Sequence, residues 1–154
     1  MADAPTLAGV HHLKLPVRDI ERARGWYESR PGYELLIEFV EEGRLMGVAM
    51  LHPRGGPGLA LRLDPERAEA AAGFDYFAIG VPGRAALDDL ADRLAGMGES
   101  HAGVHSATIG WILPGLHDPD GHEVRFYTVE QHTDQSGPTA VHDPRERELW
   151  QRPG

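Results

Sequence analysis

Two stretches of this chain repeat one order of patterns: a strand, a helix and then further strands. In the first stretch, Val10 to Val17 (VHHLKLPV) alternates as a strand does, with Leu13, Leu15 and Val17 sharing a side. Asp19 is placed to cap a helix over 20–29, on which Ile20, Ala23, Trp26 and Tyr27 fall on one face. Pro31-Gly32 ends that helix. Strands follow at 33–40, 44–52 and 58–63, with Glu41-Glu42-Gly43 as a hairpin turn and 53–57 as a loop. An alanine-rich connector at 64–72 reads as a helical turn. The second stretch has a strand at 75–81 and a helix at 84–97, with Leu87, Leu90, Ala91 and Leu94 on one stripe. After a poorly patterned, glycine-rich passage come strands at 108–113 and 123–129, joined through His117-Asp-Pro-Asp-Gly-His122.

The two stretches align position by position. His12 corresponds to Tyr76, Leu13 to Phe77, Leu15 to Ile79 and Val17 to Val81. A half of ~65 residues buries too little surface to stand alone, so the halves must share one core. The reading is an α+β protein of two βαβββ modules, about 9–63 and 73–129, within a single domain at 1–130. Residues 131–154 form a polar C-terminal arm, in which 143–151 has the pattern of a short helix carrying Leu149 and Trp150. Trp150 there is a candidate for docking on a subunit partner, against the alternative of a plain surface arm.

Composition narrows the function. Asp and Glu total 24 against 15 Lys and Arg, a formal charge of −9. That balance argues against nucleic acid and anionic membrane as partners, since both need a basic face. No cysteine is present, which removes disulfides, thiolate metal sites and cysteine nucleophiles. No basic-then-apolar leader opens the chain, and no apolar run nears the ~20 residues of a membrane span. The expectation is a soluble cytoplasmic protein. Nine histidines are more than the length demands and are the first hint of a site.

Three passages carry a family likeness: GVHHLKLPVRDIERARGWYE at 9–28, FDYFAIGV with its following helix, and LHDPDGHEVRFYT at 116–128. With these the chain resembles the vicinal oxygen chelate superfamily, which includes glyoxalase I, extradiol dioxygenases, fosfomycin-resistance enzymes and bleomycin-binding proteins. The resemblance implies that the paired modules form a cup-shaped, curved mixed sheet with helices packed outside. In metal-using members four inward positions supply the ligands. Here they fall on His12, about Ala60, Tyr76 and Arg125. Histidine is a good ligand, alanine offers no donor, and arginine stays protonated and repels a dication. The resemblance therefore implies no metal and no other cofactor, and puts metal-dependent isomerisation or ring cleavage in doubt.

Strand alternation assigns His12, Lys14, Arg62, Tyr76, Arg125 and Tyr127 to the concave side, with Ala60 and Ala78 between them. The leucine-rich opposite side packs under the helices. Lys14, Arg62 and Arg125 are local positive charge in an acidic protein, which points to an anionic or electron-rich small-molecule ligand. Tyr76, Tyr127, Trp111 and Phe39 can offer flat surfaces to an aromatic one. Each has a plainer alternative: an ion pair with Glu123 or another acid for Arg125, a place in the core or a dimer interface for Trp111, and simple burial of the ring for Tyr76. The leading functional expectation is binding and sequestration of an aromatic or anionic metabolite or antibiotic by a homodimer, bleomycin-resistance-like and with no catalytic residue. The rival is a glyoxalase, lyase or dioxygenase type of enzyme using His12 as base or as ligand of an altered metal site.

Overall fold

The computed structural model describes residues 3–133 and 137–138. The first module comprises β1 (His12–Val17), α1 (Ile20–Ser29), β2 (Glu34–Glu41), β3 (Arg44–Leu51) and β4 (Gly58–Leu63). The linking α2 (Pro65–Ala71) leads to β5 (Ala78–Val81), α3 (Arg84–Gly96), β6 (His105–Ser106), β7 (Trp111–Leu113) and β8 (Arg125–Thr128). The strands form two open four-stranded sheets of matching order, β1-β4-β3-β2 and β5-β8-β7-β6. In each, the first strand runs parallel to the last and the other neighbours are antiparallel. The α+β pair of βαβββ modules expected from the repeat is thus what the chain forms. No helix among the described residues is long and apolar enough to cross a membrane.

Both sheets turn their apolar side towards the helices. Leu15, Leu59, Leu61, Ile79, Val124 and Phe126 are buried there, with Leu13 and Phe77 packed at the margin. Asp19 caps α1 by accepting the Arg22 N–H at 3.0 Å. Ile20, Ala23, Trp26 and Tyr27 are the buried face of α1, and one apolar core runs through both modules.

A buried polar node also joins the modules. The Tyr27 hydroxyl donates to Asp118 Oδ2 at 2.7 Å. Asp118 Oδ1 accepts the N–H groups of Asp120 and His122 at 2.9 and 3.0 Å. Asp120 Oδ1 accepts the Arg18 N–H at 2.9 Å, and the His122 ring donates from Nε2 to the Pro16 carbonyl at 2.7 Å. The DPDG turn of the second module is thereby tied to β1 and α1 of the first. Burial, then the neighbouring Asp118 carboxylate, pushes the Tyr27 hydroxyl well above its ordinary range, so it stays a donor. Burial also raises the Asp118 carboxyl, against the lowering effect of the hydrogen bonds it accepts.

Several boundaries differ from the sequence pattern. The connector at 64–72 contains a true helix, capped by Asp64, which accepts the Arg67 N–H at 3.1 Å. The expected strand at 75–81 begins only at Ala78. Its partner β8 begins at Arg125, because Glu123 bridges to His117 and the Val124 N–H bonds the Leu116 carbonyl. Residues 75–77 therefore have no ladder on that side. The strand expected at 108–113 is confined to Trp111–Leu113, and the passage without pattern supplies its partner β6. The helix expected at 143–151, with Leu149 and Trp150, lies outside the described residues.

The node generates a stability prediction. Asp118→Ala strips Tyr27 and two backbone N–H groups of their acceptor, so denaturant unfolding should show a loss of about 3 kcal/mol. Asp118→Asn keeps the acceptor Oδ1 and should lose less. A carboxyl raised on folding stabilises fully below its unfolded pKa, and that contribution is lost as pH rises through the folded value. The stability advantage of the native chain over Asp118→Asn should therefore shrink as pH rises from 4 to 7. A gap that is flat with pH would contradict the burial shift.

Candidate ligand-binding site

The concave side of the first sheet encloses a hollow of about 680 Å³. Its shape follows from register. One cross-strand row runs Lys14, Ala60, Ala49 and Ile37, and the next runs Pro16, Arg62, Gly47 and Phe39. In the first row the two middle strands carry alanine between the long Lys14 and Ile37, and in the second Gly47 lies between the long Arg62 and Phe39. The floor is therefore low and the walls are high. A Cβ at Gly47 would lie 3.1 Å from the Leu61 carbonyl oxygen and 3.7 Å from both Arg62 and Phe39. Glycine there keeps a notch between the guanidinium and the ring.

The wall along β2 is open and carries apolar side chains beside two acids, Glu38 and Glu41. Leu36, Ile37, Phe39 and Val40 are all exposed, as is Leu51 at the end of β3. Phe39 is 46% exposed, a large ring left in contact with water. The opposite wall is basic. Lys14 is exposed, is the only lysine, and has no ion pair among the described residues. Arg62 is held by Glu41 at 2.7 Å. At one end of the hollow, His12 Nδ1 lies 2.9 Å from His11 Nδ1. One ring must donate in that contact and the other accept, which leaves one Nε2 bare and the other protonated.

Of the sequence-selected residues, the structure gathers His12, Lys14, Phe39 and Arg62 around this hollow. It places Tyr76, Arg125 and Tyr127 on the second module, away from it. Arg125 is largely buried, bonded through Nε to Glu123 and at 2.8 Å to Asp75. Tyr127 is half-buried, on the row of Gly80 and Ile112. Tyr76 is exposed, edge-on to Phe74 with ring centroids 4.9 Å apart. Trp111 shares the helix side of its sheet with Leu113 and Phe126 and packs against the core. The Arg84 guanidinium lies 5.6 Å from its ring centroid, and His132 meets it edge-on.

Sequence reasoning missed His11, Ile37, Leu36, Leu51, Gly47 and Ala49 as lining residues. The small residues at 47 and 49, alternating with Val48 and Met50, were the available signal. The loop histidines serve the backbone: His101 bonds the Ala91 carbonyl and accepts the Gly103 N–H, and His105 bonds the Ala102 carbonyl.

This geometry, a βαβββ repeat with a hollow on the first sheet, matches known proteins. The model of the Glyoxalase/Bleomycin resistance protein/Dioxygenase superfamily matches residues 9–126. The chain belongs to that superfamily. A search of curated protein sequences gives no match. Among solved structures, a glyoxylase/bleomycin resistance protein/dioxygenase domain from Frankia sp. EAN1pec is similar at 25% identity and TM-score 0.63, over 80% of this chain and 98% of that one. A lactoylglutathione lyase from Agrobacterium tumefaciens has 18% identity and TM-score 0.65, covering 81% and 96%. TnmS3, an antibiotic binding protein from Streptomyces sp. CB03234, has 19% identity and TM-score 0.62, covering 81% and 98%. These last two likenesses show the fold alone.

At the positions where the resemblance puts the superfamily's metal ligands, the side chains present do not make a fitting donor set. His12 is the one good ligand, Ala60 has no donor atom, and Arg125 is a cation already held by two carboxylates. Among the described residues no three His, Asp or Glu side chains are grouped to hold an ion. The Arg125 geometry predicts a structural role. Arg125→Ala leaves Asp75 and Glu123 without their cation and should destabilise the chain by about 2 kcal/mol in thermal or urea unfolding. Unchanged stability would release Arg125 for ligand contact.

Proposed function

We propose that this superfamily member binds and sequesters an aromatic, anionic small molecule in the first-module hollow, without a catalytic metal. The observation that carries this reading is the pairing of exposed apolar side chains, Ile37 and Phe39, with Lys14, which has no ion pair among the described residues, across a floor of alanine and glycine. A flat ring would lie on the small floor against Phe39, and its negative group would meet Lys14. Such a protein works by affinity alone, so no bond need form or break. The likeness to TnmS3 accords with an antibiotic as one such ligand.

The open side of the hollow also supports assembly. Leu36, Val40 and Leu51 are exposed apolar side chains along this side of the hollow, and clustered exposed apolar groups mark interaction sites. In a homodimer, the second module of a partner would cover that wall and bring Tyr127 towards the ligand. Val40→Glu should then shift the chain to monomer in light scattering, while an unaltered mass would remove this face from any interface.

The test is a thermal-shift screen against aromatic antibiotics and flavin-like metabolites carrying acidic groups. A ligand at a hundred times its Kd should add about 2.7 kcal/mol of stability. Ala60→Trp, which fills the floor, should abolish the shift, and Phe39→Ala should weaken binding about tenfold or more. If Ala60→Trp leaves the shift intact, the hollow is not the site. A second reading, catalysis with His12 as base or altered-site metal ligand, draws on the His11–His12 contact. Stoichiometric metal in protein purified without chelator, lost in His12→Ala, would establish it and overturn the first.

A further inference from the structure

A second cavity, of about 460 Å³, lies outside the hollow described above, between β1, α2 and the residues ahead of β5. Its lining divides by exposure. Leu13, Leu15, Ala71 and Phe77 are buried or half-buried and form an apolar interior. His122 also lines it but adds no polar partner for a ligand. Its Nε2 is committed to the Pro16 carbonyl at 2.7 Å, and its Nδ1 is buried out of reach. Lys14, Arg67 and Tyr76 are exposed and set the mouth. Lys14 has no ion pair among the described residues. Arg67 gives Nη1 to Asp64 Oδ2 at 2.9 Å, and its other side-chain nitrogens have no partner among the described residues. Two cations thus border an opening into a pocket whose inner side chains offer nothing to a second polar group.

We infer that this cavity binds a medium-chain alkyl monocarboxylate. The charged end of such a molecule matches the mouth, where a carboxylate meets Lys14 and Arg67. Its chain matches the interior, which is leucine and alanine beside one ring. A hydroxyl or amide along the chain would be buried there without a side-chain partner, so an unsubstituted chain is preferred. The volume lies within the range of small-molecule pockets. Lys14 alone lines both this cavity and the larger hollow, so the two can be tested apart.

The experiment is calorimetric titration of the full chain with octanoate, butanoate and octanamide. Saturable binding of octanoate is expected. Butanoate, shorter by four methylenes, should bind about a hundredfold more weakly. Octanamide keeps the chain and loses the charge, and should bind about tenfold more weakly. Arg67→Gln, an exposed change outside the larger hollow, should weaken octanoate about threefold. Ala71→Trp, which fills the interior from α2, should abolish binding, whereas Ala60→Trp should leave it unchanged. Backbone amide shifts in a nuclear magnetic resonance titration with octanoate should centre on Ala70, Ala71 and Phe77. That readout does not depend on any variant folding. Absence of saturable binding, equal affinity for all three compounds, or shifts centred on Ala49 and Ala60 would each overturn the proposal. In the last case octanoate occupies the larger hollow and the reading of that hollow survives.

Discussion

The hydrogen bond from Tyr27 to Asp118 is the contact on which the rest of the structure depends. It joins the first helix of one module to the last turn of the other inside a region from which water is excluded. A buried hydroxyl and a buried carboxyl have no solvent to fall back on, so each needs the other. Through Asp118 the constraint passes to the N–H groups of Asp120 and His122, and from those residues to Arg18 and Pro16 beside β1. The apolar core that α1 shares with both sheets supplies most of the driving force. The polar node supplies register, because its hydrogen bonds of 2.7–3.0 Å are directional and hold turn, helix and strand in one arrangement.

With the modules held in that way, the sheets are free to expose their concave sides. On the first sheet, side-chain size rather than backbone curvature alone makes a hollow. Small residues at 47, 49 and 60 lie between long ones at 14, 37, 39 and 62. Charge is apportioned differently in the two modules. Lys14 is left open to solvent, while Arg125 is enclosed by acids of its own module. The second module uses its cation to hold residue 75 against β8.

Much of the fold was legible because it rests on periodicity. Alternation of two along β1 and β4, and of three to four along α1 and α3, placed the buried faces correctly, including Tyr27 and Leu94. The cap at Asp19 was legible because it is a local hydrogen bond. The pattern failed where a ladder needs a distant partner. Residues 75–77 alternate like a strand, yet β8 starts too late to pair with them. The passage through His105 shows no pattern, yet two of its residues pair with β7. Trp111, chosen for its ring, belongs to the helix side of a strand three residues long, too short for alternation to decide its face.

By itself the sequence determined the βαβββ repeat and the buried faces, since each depends on residue type and short-range spacing. Only the tertiary structure decided that His12, Lys14, Phe39 and Arg62 meet around one hollow while Tyr76, Arg125 and Tyr127 stand elsewhere. It also decided that Asp75 claims Arg125, across fifty positions of chain. Spacing along a strand tells which side a residue takes. It does not tell which other strand brings a partner to that side, because that follows from how the two modules dock.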